Sequence, residues 1–209
     1  MNKPEIVSPD AWAVARAELL VAEKEATRAL DALAARRRRL PMTKFSNAYE
    51  FDAPGGKKSI LDLFEGNSQL AVYQFMDIGP GKFCPGCTKV ADNVPAAGPA
   101  RLSAKGVTWA IVSNMPLAQI ESYKAEKGWT MTFVSSHGTT FSEDCGCKRG
   151  FMLSMFLRDG DDVYRTWNTT QRGVDRLVWE HDILDLAPFG RQEDWEDSPP
   201  GWPQKPTYG

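Results

Sequence analysis

Gln69-Leu70-Ala71-Val72-Tyr73-Gln74-Phe75-Met76, followed after a short loop by Cys84-Pro85-Gly86-Cys87, is the stretch that decides the fold. The first run is mostly apolar and bounded by turn residues, as a central strand buried on both faces would be. Val107-Thr108-Trp109-Ala110-Ile111-Val112-Ser113 repeats the pattern, and residues 130–135 offer a third strand. A helix is expected from the cysteine motif toward Ala104, broken by Pro95 and Pro99. Pro116 opens a second helix over 117–127, and Gly128 ends it. This strand–helix–strand–helix–strand alternation predicts βαβ units with parallel strands.

Further along the chain, Gly150 to Arg158 reads as a strand, Asp159-Gly160-Asp161 as a hairpin turn, and Asp162 to Trp167 as the return strand. The sheet should therefore combine a parallel part with an antiparallel hairpin. A late helix is expected over 175–186, carrying His181. The acidic, proline-rich and tryptophan-rich tail reads as irregular, with its tryptophans packed. Before the central strand, Phe45, Tyr49 and Phe51 suggest strands ahead of the turn Pro54-Gly55-Gly56, and residues 59–64 suggest one helical turn.

At the N-terminus, Ser8 is a good N-cap, Pro9 fits the first helical position, and Asp10 suits the helix dipole. Trp12, Leu19, Ala26, Leu33 and Leu40 recur every seven residues, with Ala15, Ala22 and Ala29 as a second seam. That stripe predicts a long helix over 8–40, ended by Pro41, and a homodimer formed through it. The expected organisation is a helical extension over 1–41, an α/β domain over 42–187, and a tail over 188–209.

Composition narrows the function. With 209 residues and 42% of them hydrophobic, the chain can bury a core without a metal or disulfide staple. A net charge of −2 argues against a nucleic-acid partner, and Arg36 to Arg39 sit where a helix C-terminus favours cations. No apolar run approaches the ~20 residues of a membrane span, so no membrane partner is expected. The N-terminus lacks the apolar core of a signal peptide, so the cytoplasm is the expected compartment.

The four cysteines carry the chemistry: Cys84 and Cys87 as C-x-x-C, Cys145 and Cys147 as C-x-C. A thiol at a strand-to-helix junction meets helix amides and the positive end of the dipole, which pull its pKa below the free value of about 8.5. Such a thiolate attacks a disulfide sulfur or a peroxide oxygen, and a second thiol about one turn later closes an intramolecular disulfide. Cys84, nearer the exposed start of the helix, is expected to attack and Cys87 to resolve. No cofactor is needed for this. Cys145 and Cys147 lie in a loop at the same carboxyl edge of the sheet and can relay electrons to the first pair. Alternatively, all four thiolates hold zinc or copper(I), although C-x-C departs from the usual zinc spacing. His137, in the same loop, is a capping residue, a proton donor or a ligand.

The stretches YEFDAPGGKKSILDLFEGNSQLAVYQFM, FCPGC, TWAIVSNMPLAQIESYKAEKGW, FVSS and DILDLAPFGR resemble a bacterial thioredoxin-like family catalogued as domain of unknown function 899. The resemblance implies a thioredoxin-like, peroxiredoxin-like mixed sheet flanked by helices, with the long N-terminal helix included. Cys84-Pro85-Gly86-Cys87-Thr88 also resembles the Thr-Pro-Gly-Cys-Thr loop of some peroxiredoxins. That likeness implies thiol peroxidase activity with Cys87 attacking, Cys84 in place of the threonine, and Arg149 as the nearest candidate for the peroxide-binding arginine. The implied partners are a disulfide or peroxide substrate and an unidentified reductant.

Overall fold

The computed structural model describes residues 3–207. The chain forms two compact units: one takes residues up to 40 and from 179 onward, the other spans Pro41–Val178.

In the first unit, α1 runs over Pro9–Arg37. The Ser8 hydroxyl accepts a hydrogen bond from the Ala11 amide at 3.2 Å, as the N-cap reading requires. The helix stops before Leu40 because the last turn tightens: the amides of Arg39 and Leu40 donate to the carbonyls of Arg36 and Arg37. No α1 residue is buried, and Trp12, Leu19 and Leu33 of the heptad stripe are exposed. The late helix is shorter than the expected 175–186. A 3-10 segment at the end of the second unit, Gln171–Leu177, gives way to Val178 in extended conformation, and in the first unit α6 covers only Trp179–Leu186. The tail is irregular but ordered by its own contacts. Arg191 grips Asp185 through Nε and Nη2 at 2.7 and 2.6 Å, and the amides of Arg191 and Glu193 donate to the Glu196 carboxylate. Phe189 and Trp202 meet edge to face at 5.2 Å.

The second unit is built on one eight-stranded sheet. Its strands are β1 (Thr43–Phe45), β2 (Glu50–Ala53), β3 (Gly56–Ser59), β4 (Gln69–Phe75), β5 (Val107–Ser113), β6 (Thr132–Ser135), β7 (Met152–Asp159) and β8 (Asp162–Thr169). Its helices are α2 (Pro85–Asp92), α3 (Gly98–Ser103), α4 (Leu117–Lys127) and α5 (Phe141–Asp144). The strand order is β1-β8-β7-β4-β5-β6-β2-β3. β4, β5 and β6 are parallel, with Gln69 opposite Val107 and Ala110 opposite Thr132, and the remaining pairings are antiparallel. The helical turn expected over 59–64 forms as a 3-10 turn over Asp62–Phe64, while Ser59 ends β3, which pairs with β2. Gly55 at φ 89° closes that hairpin, a conformation open to glycine.

Alternation along β4 sorts side chains between two cores. Ala71, Tyr73 and Phe75 join Trp109, Ile111, Phe133 and the α2 residues on one face. Leu70 and Val72 join Ala110, Val112, Phe141 and Phe156 on the other. Covered on both sides, β4 and β5 are continuous apolar runs for the reason read from sequence. A parallel β4–β5 pair linked by α2 and α3, with the β7–β8 hairpin added antiparallel along the other edge of β4, is the thioredoxin-like arrangement.

Candidate functional site

β4 delivers the chain to the carboxyl edge of the sheet, where the loop 76–83 turns back. An Asp77–Phe83 bridge closes the loop, and the Gln119 amide group donates to the carbonyls of Gly79 and Lys82 at 3.3 and 3.4 Å. Phe83 lies flat on Tyr123, centroids 3.5 Å apart, and the Tyr123 hydroxyl is 2.8 Å from Thr88 Oγ1. The segment flanking the cysteines is thus pinned from both sides.

Cys84 is the N-cap of α2. Its backbone is extended, Pro85 takes the first helical position, and its Sγ accepts from the Cys87 amide at 3.4 Å. Cys87 lies one turn on, with its thiol among the groups that act on the Cys84 sulfur. Cys84 is pulled from the ordinary 9.0 to about 6, first by that S–H donor and then by the backbone amides of Cys87 and Gly86, which outweigh burial. The helix amides foreseen from sequence contribute, but the partner thiol contributes more. Cys87 is pushed strongly upward, because it donates to Cys84 and because it is buried. Of the pair, Cys84 therefore carries the negative charge and Cys87 the proton.

Two donors face the Cys87 sulfur, one from β4 and one from the residue that follows it. The Met76 amide lies at 3.4 Å, and the Tyr73 hydroxyl hydrogen-bonds it. Tyr73 is only 1% exposed and its phenol is pushed upward, chiefly by burial. The sequence singled out β4 only as a core strand. The one clue to Tyr73 is parity: residues 71, 73 and 75 share a face, and the motif folds back over that face.

The motif is enclosed, not open as its place at the start of a helix suggests. Cys84 is 5% exposed and Cys87 is not exposed at all. Both belong to the apolar cluster that also takes in Val174, Val178, Phe83 and Phe151 from later and neighbouring segments. The residual exposure falls to Cys84.

Cys145 is packed in the core of the opposite sheet face and is pushed up to about 12 by burial. Its carbonyl accepts from Arg165 Nη1 at 3.0 Å. Cys147 is also buried, within electrostatic reach of Cys145, and its thiol is raised by burial against a backbone hydrogen bond from Gly150. Tyr73 lies within electrostatic reach of the sulfurs of Cys84, Cys87 and Cys147. The register explains this: the C-x-C loop leads into β7, whose Met152 lies opposite Gln74 at the end of β4. The four sulfurs do not gather. Among the described residues no group of three or more His, Cys, Asp or Glu side chains is placed to hold a metal ion. Nor, among the described residues, is any helix long and apolar enough to cross a membrane.

His137 turns away from the dithiol, its Nδ1 donating to the Asn114 carbonyl at 3.0 Å. It lines a cleft of about 900 Å³ with Tyr49, Lys57, Asp144 and Arg165, and none of the four cysteines lines that cleft. There Asp144 accepts from Thr140 and Tyr49, which hold its carboxyl below the usual range. Arg149 is exposed.

Fold and site together define a thioredoxin-like domain with a hydrogen-bonded dithiol in the first turn after its central strand. The chain belongs to a family described as "Bacterial protein of unknown function (DUF899)", whose model matches residues 1–208. No curated protein matches the sequence. Among solved structures, a mutant of PrxQ from Xylella fastidiosa is similar at 11% identity, covering 68% of this chain and 94% of that one, TM-score 0.46. Peroxidoxin BcpB from Mycobacterium tuberculosis is similar at 16% identity, covering 66% and 94%, TM-score 0.46. A putative thioredoxin from Neisseria meningitidis is similar at 12% identity, covering 70% and 94%, TM-score 0.41. Likeness at these levels transfers no residue role.

Proposed function

We propose that the chain is a thiol–disulfide oxidoreductase in which Cys84 attacks and Cys87 resolves. The observation that carries this is the placement of the pair: Cys84 is the N-cap of α2, its Sγ accepts from the Cys87 amide at 3.4 Å, and Cys87 follows one turn on; the Cys87 thiol and the helix amides lower the Cys84 pKa. The Cys84 thiolate attacks one sulfur of a substrate disulfide, forms a mixed disulfide and expels the other sulfur as a thiolate. Cys87 then attacks Cys84, releasing the bound half as a thiol. The substrate gains two electrons, the protein ends as a Cys84–Cys87 disulfide, and a cellular thiol in the cytoplasm returns it to the dithiol. Attack by Cys87 on a peroxide is the weaker reading, because an enclosed, protonated thiol is the wrong starting state for a nucleophile. Cys145 stays out of the cycle, because its sulfur lies in the other core.

Equilibration against glutathione buffers of graded potential, with peptide mapping of thiols, tests the reading. A Cys84–Cys87 disulfide titrating as a two-electron couple is expected. Absence of that disulfide at every potential would refute it.

A further inference from the structure

Resting on the dithiol reading, the contacts around Cys87 explain how a protonated thiol becomes the second nucleophile. In the reduced pair, Cys87 donates to the Cys84 thiolate, and that contact is the largest influence keeping its proton on. Once Cys84 is joined to a substrate sulfur, it carries no charge and is a poor acceptor. The groups left facing the Cys87 sulfur are then two donors, the Met76 amide at 3.4 Å and the hydroxyl of Tyr73, which is buried in the same cluster as both cysteines. Two donors aimed at one sulfur favour its anion, as oxyanion-hole donors do, and enclosure strengthens them.

We propose that the Tyr73 hydroxyl, with the Met76 amide, is the thiolate hole of the resolving step: it stabilises the Cys87 sulfur as it attacks the mixed disulfide at Cys84. The Cys87–Cys84 bond forms, the Cys84–substrate bond breaks, and the Cys87 proton ends on the departing thiolate. Tyr73 has no part in the first step, because its hydrogen bond is to Cys87. The switch is therefore self-timed: the charge on Cys84 that holds Cys87 inert disappears in the reaction that calls for Cys87.

Tyr73→Phe removes the hydroxyl and keeps the ring that stacks 6.4 Å from Trp109. Reduced protein is mixed with hydroxyethyl disulfide, quenched with acid at intervals, and weighed by intact mass to separate adduct from closed disulfide. In the variant, adduct formation should keep the wild-type rate. Closure should slow at least about tenfold, the scale of losing one hydrogen bond to a charged group, and its pH midpoint should rise. The adduct should therefore accumulate in the variant and not in the wild type. A purely structural role would slow both steps or lower thermal stability without moving the midpoint of closure. If wild type and variant close at the same rate with the same midpoint, the role of Tyr73 is overturned and the dithiol reading stands. If the wild type itself never closes, both fall.

Discussion

Replacing Cys87 by alanine should return the Cys84 thiol to ordinary behaviour or beyond, and replacing it by serine should not. The Cys87 S–H is the largest influence lowering Cys84 from 9.0 to about 6. That fall is about a thousandfold in the thiolate-to-thiol ratio, or about 4 kcal/mol at 1.36 kcal/mol per tenfold step. Alanine removes the donor, so burial of Cys84 is opposed only by the amides of Cys87 and Gly86. Serine keeps an O–H donor in the same place. Both variants stop at the mixed disulfide, which isolates the first step. At pH 7 the thiolate fraction should fall from about 90% to about 1% on going from serine to alanine. The rate should fall far less, about fivefold, because the more basic thiolate is about 20-fold more nucleophilic at a Brønsted slope near 0.45. The midpoint of the pH–rate profile is therefore the decisive number, and slow access to a sulfur that is 5% exposed leaves it unchanged. The assay is adduct formation with hydroxyethyl disulfide from pH 4.5 to about 10.5, a range set by the two limits. Superimposable profiles for the two variants would refute the assignment of the low Cys84 pKa to its partner thiol.

Phe141 packs edge-on against Phe45, Tyr49 and Phe51, so Phe141→Ala should cost about 3–5 kcal/mol; urea unfolding that shows less than about 1 kcal/mol would contradict this packing. A Cβ at Gly173 would lie 1.9 Å from Thr169 Oγ1 and 3.1 Å from its Cβ, so Gly173→Ala should destabilise by about 1–3 kcal/mol, and an unchanged melting temperature would count against the packing. Tyr49→Phe removes a donor that lowers the Asp144 pKa. A depressed carboxyl adds stability above its unfolded pKa and loses it as pH falls, so the variant should show a flatter acid limb in thermal melts; an identical limb would dismiss the contribution. The heptad stripe of α1 carries exposed Leu19 and Leu33; the parent chain is expected to sediment as a dimer and a Leu19→Lys/Leu33→Lys variant as a monomer, and a parent chain that sediments as monomer at micromolar concentration would remove the pairing.

Much of the second unit is legible in local sequence. β5 over Val107–Ser113 and α4 over Leu117–Lys127 fall where the apolar run, Pro116 and Gly128 put them, because burial on both faces and fixed backbone angles leave a local signature. Cys84 as an N-cap followed by Pro85 is likewise a local event, as is the spacing that brings Cys87 one turn later. Residues 56–59 are less legible, because their strand exists only through pairing with β2. The late helix broke at Val178, where no proline or glycine marks the interruption.

What the chain order alone determines here is the pair of thiols, their distance along a helix and the strand that leads to them, since each depends on neighbours within a few residues. What only the tertiary structure decides is their chemical state. Which sulfur keeps the proton depends on enclosure by segments far along the chain. It depends also on the Met76 amide and the Tyr73 hydroxyl, against which the loop 76–83 folds Cys87 back. Cys145 and Cys147 are two residues apart in sequence and within electrostatic reach of each other, yet only Cys145 is packed in the far core, and Cys147 is also within reach of Tyr73. Proximity along a chain fixes which groups can meet, but solvation and hydrogen bonding in three dimensions set their charge.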